Sequence, residues 1–290
     1  MTTPKNIIKQ GGKDNWYTLN ITVNPSPTES TFSVEFNHDS VESIDFQTAA
    51  DRAAQDIASK HKNLYVALSG GVDSEFLAEV LHRNNIPFTP VIAIIPGLTE
   101  HHYAMYWCHK NKITPTVIDL ADKAGELKHL AATLIKTIPT RDILYSIAGS
   151  YAIEYALTNN GFALVGDPDL TPKDTSAKVF DFNCPLGNML DTTIGGHIAE
   201  VLHTNAISFL WYTPELILSA ARELDTTVNF DIARAKLYNV PYRPKQQQRL
   251  SHLFDSNTKS EIDRVLTHIG MSEIPTIEWD KDFLISVLNK

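Results

Sequence analysis

Ser69-Gly70-Gly71-Val72-Asp73-Ser74 is the segment of this 290-residue chain whose residue types are best suited to chemistry. Gly70 and Gly71 carry no Cβ, so the backbone can take φ > 0 there and turn successive N–H groups, that of Val72 included, toward an anion. Ser69 and Ser74 add hydroxyl donors, and Ser74 or Asp73 can also cap a helix. Asp73 is the discordant member, because a carboxylate beside a phosphate is repelled unless a divalent cation lies between them, which argues for magnesium on Asp73. The bland alternative is a Gly-Gly turn with an ordinary Asp-Ser N-cap. The paired serines and the preceding strand weigh against it.

The elements that must position this turn are legible around it. Leu64 to Leu68, with Ala67 near its end, is a short apolar run of the kind buried on both faces of a parallel sheet. From Ser74 onward, Phe76, Leu77, Val80 and Leu81 form an apolar stripe at helical spacing, and Asn84-Asn85-Ile86-Pro87 stops it. The turn therefore joins a strand end to a helix start, where free N–H groups and the helix dipole attract phosphate oxygens.

Strand and helix patterns then repeat. Pro90 to Ile95, Thr116 to Leu120 and Phe162 to Val165 read as parallel strands, with helical stretches near 99–111, 124–138 and 143–158 between them. This is a doubly wound α/β pattern, whose ligand lies at the carboxyl ends of the strands. Ile94-Ile95 and Gly166-Asp167-Pro168-Asp169 face the same crevice by that geometry. The two carboxylates of the second loop can share a magnesium or grip a cationic group, or the loop can be a plain Pro-Asp turn. Downstream, Lys236, Arg243, Lys245 and Arg249 form a basic segment that is either a solvated helix end or a source of cations for phosphate.

The turn lacks the Gly-Lys-Ser/Thr of the Walker P-loop and the Gly-x-Gly-x-x-Gly of dinucleotide folds. Ser69-Gly70-Gly71-Val72-Asp73-Ser74 resembles the PP-loop of the N-type ATP pyrophosphatases, the adenine nucleotide α-hydrolase superfamily, and among them the asparagine synthetase-like members. The resemblance implies a Rossmann-like sheet of the HUP type and a shared half-reaction. ATP is cleaved between its α and β phosphates, AMP passes to an acceptor oxygen, pyrophosphate leaves, and a nitrogen or sulfur nucleophile displaces AMP. It further implies that residues 69–74 hold the β and γ phosphates, that Asp73 with Asp167 holds magnesium, and that Lys236 or Arg243 neutralises the leaving group. The loop at Gly166 departs from the synthetase pattern, which has a further glycine and an Asp-Glu pair.

Composition narrows the acceptor. A net charge of −9, from 25 basic and 34 acidic residues, gives no general attraction for nucleic acid, so a small molecule or nucleobase is expected. No apolar stretch reaches 18 residues and no signal-peptide pattern opens the chain, so a cytoplasmic protein without a membrane segment is expected. Cys108 and Cys184 are too few for the four-cysteine zinc site of the deazaguanine synthases, and Cys108 reads as a helix-buried thiol. Some 60 residues precede the loop, which leaves no room for the glutaminase domain of asparagine synthetase; ammonia would come free or from another subunit. Glu100, at the start of the second crevice helix, is near enough to contact acceptor or ribose. Glu100-His101-His102 and Cys108-His109 are interleaved with Tyr103, Tyr106 and Trp107, which favours an amphipathic helix over a metal site.

The chain divides into a small antiparallel β element at 1–40, a nucleotide-binding α/β domain at 41–175 and a mainly helical, acceptor-shaping region at 176–290. Alternation in Tyr17–Val23 and Phe32–Phe36 marks two strands, with Ile7-Ile8 a third. This element can pack on the core edge, lid the acceptor site or mediate a homodimer. The leading expectation is an ATP- and magnesium-dependent ligase with a nitrogen nucleophile. A tRNA sulfurtransferase and a non-enzymatic nucleotide-binding regulator stand beside it. On sequence grounds, Asp73→Asn should weaken turnover far more than stability.

Overall fold

The computed structural model describes residues 5–23, 31–36, 41–94, 100–120, 143–166, 184–185, 205–225, 227–228 and 230–242. Its centre is a parallel sheet of β4 (Leu64–Ala67), β5 (Phe88–Ile94), β6 (Thr116–Asp119), β7 (Phe162–Val165) and β9 (Ala206–Ser208), in the order β6-β5-β4-β7-β9. The chain winds outward from β4 to β6 on one side and from β7 to β9 on the other, so the order reverses between β4 and β7. That reversal is the topological switch point at which ligands bind in open α/β sheets.

Period-two alternation distributes the core over both faces. Leu64, Val66 and Leu68 join Phe162, Leu164 and Ile207 in a large cluster with α1 (Phe46–Lys60), α2 (Val72–Arg83), α3 (His101–Lys110) and α5 (Pro214–Glu223). Tyr65, Ala67, Ala163, Val165 and Ala206 face the other way, onto Ile153, Ala156 and Leu157 of α4 (Ile143–Thr158). The expected doubly wound α/β fold is thus the observed one. The strand at 206–208 went unanticipated in a region read as helical; three residues are too few to show a period, although Ala206-Ile207-Ser208 is fully buried.

Four helices end on the same device. Asn85, Lys112, Asn160 and Asn239 take positive φ just beyond α2, α3, α4 and α6 (Phe230–Tyr238). The next residue donates its N–H back into the last turn: Ile86 to Leu81, Ile113 to Cys108, Gly161 to Ala156 and Val240 to Ala235. Ile86, Ile113 and Val240 also pack on the core, as the residue closing a Schellman motif commonly does.

The amino-terminal element is an antiparallel sheet of β1 (Lys5–Gly11), β2 (Tyr17–Val23) and β3 (Thr31–Phe36), extended by β8 (Cys184–Pro185), in which Cys184 pairs with Phe32. Its first connection is anchored to the main body. Trp16 stacks on Trp211 at 5.7 Å between ring centroids and donates its indole N–H to the Trp211 carbonyl at 2.9 Å. Lys13 and Lys60 both pair with Asp56, at 3.1 and 2.8 Å, and the Tyr212 hydroxyl donates to the same carboxylate. Asp56 and Lys60 lie in the last turns of α1, the end that feeds β4, so this anchor sits opposite the end at which the Gly-Gly turn leaves that strand. Among the described residues no helix is long and apolar enough to cross a membrane.

Candidate functional site

The Ser69–Ser74 turn is built by its own side chains. Ser69 donates its backbone N–H to Ser74 Oγ at 3.2 Å, the two hydroxyls lie 3.1 Å apart, and Ser69 Oγ accepts the Gly71 N–H at 3.2 Å. Ser74 Oγ donates to the Gly71 carbonyl at 3.0 Å. Ser74, with its one hydroxyl hydrogen on the Gly71 carbonyl, therefore shapes the turn, and Ser69 is the serine that can turn a hydroxyl toward a ligand. α2 begins two residues earlier than the apolar stripe suggests, at Val72, and its N-cap is Gly71 with no side-chain cap bond. Neither Asp73 nor Ser74 is the cap; both stand in the first turn.

Two glycines let other elements close on this turn. Gly70 has φ +94°, and a Cβ there would lie 2.1 Å from the Glu100 carbonyl oxygen, at the start of α3. Gly166 directly follows β7, and a Cβ on it would lie 2.5 Å from the Ser74 nitrogen and 2.6 Å from the Asp73 carbonyl carbon. Only hydrogen fits at either place. The carboxyl end of β7 is thereby held flush against the first turn of α2, across the switch point.

Asp73 has a partner that sequence reasoning missed. Arg234 of α6 donates through Nη1 to both carboxylate oxygens of Asp73, at 3.1 and 2.9 Å. The arginine side chain is 1% exposed and the aspartate side chain 14%. α6 is held on α2 by an aromatic stack: Phe76 and Tyr238 lie 4.5 Å apart at 16°, with Phe46 against both. Arg234 and Tyr238, four residues apart, share the helix face that meets α2. The available signal was a charge set among Ala233, Ala235, Leu237 and Tyr238, on a face where solvated basic residues do not belong.

The remaining sequence candidates divide clearly. Ser69, Gly70, Gly71, Val72, Asp73, Ser74 and Gly166 are brought together, and Ala67 and Ile94 close the central strands beside them. Lys236 sits on α6, exposed, on a different face from buried Arg234. Ile95, Asp167, Arg243 and Lys245 lie outside the described residues. Cys108 is buried in α3, as expected, and burial pushes its thiol up to about 11.

Asp73 meets the requirement for magnesium in one respect. Among the described residues no group of three or more His, Cys, Asp and Glu side chains could form a metal cage. Magnesium at nucleotide sites is, however, usually held by one or two carboxylates together with substrate phosphates and water, and the Asp73 side chain, 14% exposed, is open to solvent in part. Because Arg234 already offsets Asp73, a carboxylate beside a phosphate does not by itself demand a metal here.

No family model matches the chain, and no curated protein matches it. Solved structures do. An NH3-dependent NAD synthetase from Campylobacter jejuni aligns over 81% of this chain and 99% of its own, at 13% identity and a TM-score of 0.32. An NAD+ synthetase from Burkholderia pseudomallei aligns over 78% and 88%, at 15% identity and a TM-score of 0.36. An NMN synthetase from Francisella tularensis aligns over 81% and 98%, at 12% identity and a TM-score of 0.37. Resemblance at this level assigns neither an activity nor site residues.

Proposed function

We propose that this chain is an ATP-dependent adenylating ligase that cleaves ATP to AMP and pyrophosphate and activates an oxygen of a small-molecule or nucleobase acceptor for a nitrogen nucleophile. The observation that carries the reading is the Ser69–Ser74 turn, which leaves a central strand at the switch point and is closed by Gly166, directly after the neighbouring strand β7. The amide groups of the first turn of α2 and the Ser69 hydroxyl bind and orient the β and γ phosphates, with Ser74 holding the turn through its bond to the Gly71 carbonyl, so that the α phosphorus faces the acceptor. Magnesium, held by Asp73 and by Asp167 after β7, would supply charge neutralisation on the departing pyrophosphate. Arg243 or Lys245, which follow α6 in the sequence, would add to it. Positioning and electrostatics then account for most of the catalysis, and no side-chain base is assigned.

Sulfur transfer through Cys108 is disfavoured, since a buried thiol pushed up to about 11 is not a thiolate at neutral pH. Incubation with γ-labelled ATP and a pool of carboxylate, amide and nucleobase acceptors tests the proposal. Label should appear in pyrophosphate, with AMP as the nucleotide product. ADP and labelled orthophosphate would overturn it, and tight binding without cleavage under every acceptor condition would point to a nucleotide-binding regulator.

A further inference from the structure

The pair Arg234–Asp73 is more than the nucleotide reading asks for. A guanidinium with 1% of its side chain exposed is costly to bury, and an apolar residue of similar volume beside Ala233, Ala235 and Tyr238 would pack on α2 at lower cost. Stability alone therefore gives little reason for a charge at this place. Its position gives another. Asp73 stands in the first turn of the helix whose amino end is the candidate phosphate site, so its negative charge opposes the ligand that the turn would attract. Arg234 lies directly behind that carboxylate, on both of its oxygens.

We propose that Arg234 is a positioning residue for the phosphates. By pairing with Asp73 it offsets the carboxylate's repulsion, and so sets how strongly the turn prefers metal-bound over metal-free nucleotide. The inference rests on the reading of residues 69–74 as a nucleotide site. It gives α6, a helix that contributes no residue to the turn itself, control over the charge the nucleotide meets. The aromatic stack of Phe46, Phe76 and Tyr238 keeps α6 at the distance this requires.

The test is binding of α,β-methylene-ATP by calorimetry, once with excess magnesium and once with EDTA, and the quantity read is the ratio of the metal-free to the metal-bound Kd. Arg234→Met leaves Asp73 without the guanidinium charge; metal-free binding weakens and the ratio rises about tenfold, the order expected for one charge several ångströms from the phosphates in a partly wet site. Asp73→Asn leaves the cation without the carboxylate and removes the group that would hold magnesium, and the ratio falls by at least that factor. The double variant, which also lacks the carboxylate that would hold magnesium, has a ratio about tenfold above that of Asp73→Asn. Should Arg234→Met not fold, the step from Asp73→Asn to the double variant measures the same contribution of Arg234.

Opposite shifts in the two single variants, with the ratio rising again from Asp73→Asn to the double variant, support the proposal. A ratio unchanged by removal of Arg234, alongside a lowered melting temperature, would make the arginine a packing element only and overturn it. Failure of the wild-type chain to bind the analogue under either condition would overturn the nucleotide reading and this inference with it.

Discussion

Asp73→Asn exposes the main structural consequence of the Asp73–Arg234 pair. The substitution keeps volume and removes one charge, leaving a buried guanidinium without its carboxylate. Breaking a buried ion pair from one side costs roughly 3–5 kcal/mol, because the remaining charge stays desolvated. Arg234 is 1% exposed and Asp73 14%, so water reaches the aspartate side and the lower end applies, about 3 kcal/mol. For a chain of this size each kcal/mol lowers Tm by about 2–4 °C, so a fall of about 6–12 °C is expected in a calorimetric melt without nucleotide. Asp73→Asn/Arg234→Met removes both charges and should regain most of the loss, giving a coupling of about 2 kcal/mol or more. A single-variant loss below about 1 kcal/mol, or a double variant whose loss is the sum of the two singles, would refute the reasoning. On sequence grounds Asp73→Asn weakens turnover far more than stability; the pair with Arg234 adds a stability loss to that expectation. The helix cap is Gly71, so a stability loss at Asp73 reports the arginine pair and says nothing for capping.

Other substitutions and conditions reach different parts of the account. Gly166→Ala places a Cβ within 2.5–2.7 Å of the Asp73–Ser74 backbone, so β7 and α2 must part; nucleotide binding should weaken at least tenfold, read by calorimetry, while far-ultraviolet circular dichroism stays unchanged. Burial pushes the Asp56 carboxyl up, but hydrogen bonds from Lys60, Tyr212 and Lys13 outweigh it and hold the group at about 2, against an ordinary 3.8. Its folded-state value is depressed, so its contribution is fully present above about pH 4 and is lost as pH falls toward 2. Asp56→Asn should flatten Tm over that window, and an unchanged acid profile would count against the anchor. Iodoacetamide at pH 8 should leave Cys108 unmodified in the folded chain and label it in urea, as peptide mass spectrometry would show; rapid labelling of the native protein would contradict its burial.

The chemistry-bearing turn could be read from sequence because its information is local. Two glycines, two serines and an aspartate between an apolar run and an apolar stripe specify strand, turn and helix within a dozen residues. The helices at 143–158 and 214–223 and the strand at 162–165 were legible for the same reason, each bounded by Asn-Gly, Thr-Pro or Asn-Asn punctuation. Arg234 was not legible, because its meaning depends on a contact 161 residues away. The basic residues sought for phosphate were sought by density, which led to Lys236 and past the one flanked by alanines. Strand Ala206–Ser208 and the pairing of Cys184 with Phe32 depend likewise on partners distant in sequence, and both segments are too short for periodicity to mark them.

The central claim is that the turn at 69–74, closed by Gly166, holds the phosphates of ATP. Hydrogen exchange measured by mass spectrometry with and without magnesium and α,β-methylene-ATP tests it most directly. The account predicts slowed exchange in the peptides covering 69–76 and 163–166, with peptides from the amino-terminal sheet unchanged. Saturating nucleotide that leaves 69–76 unprotected, or that protects another segment alone, would contradict it.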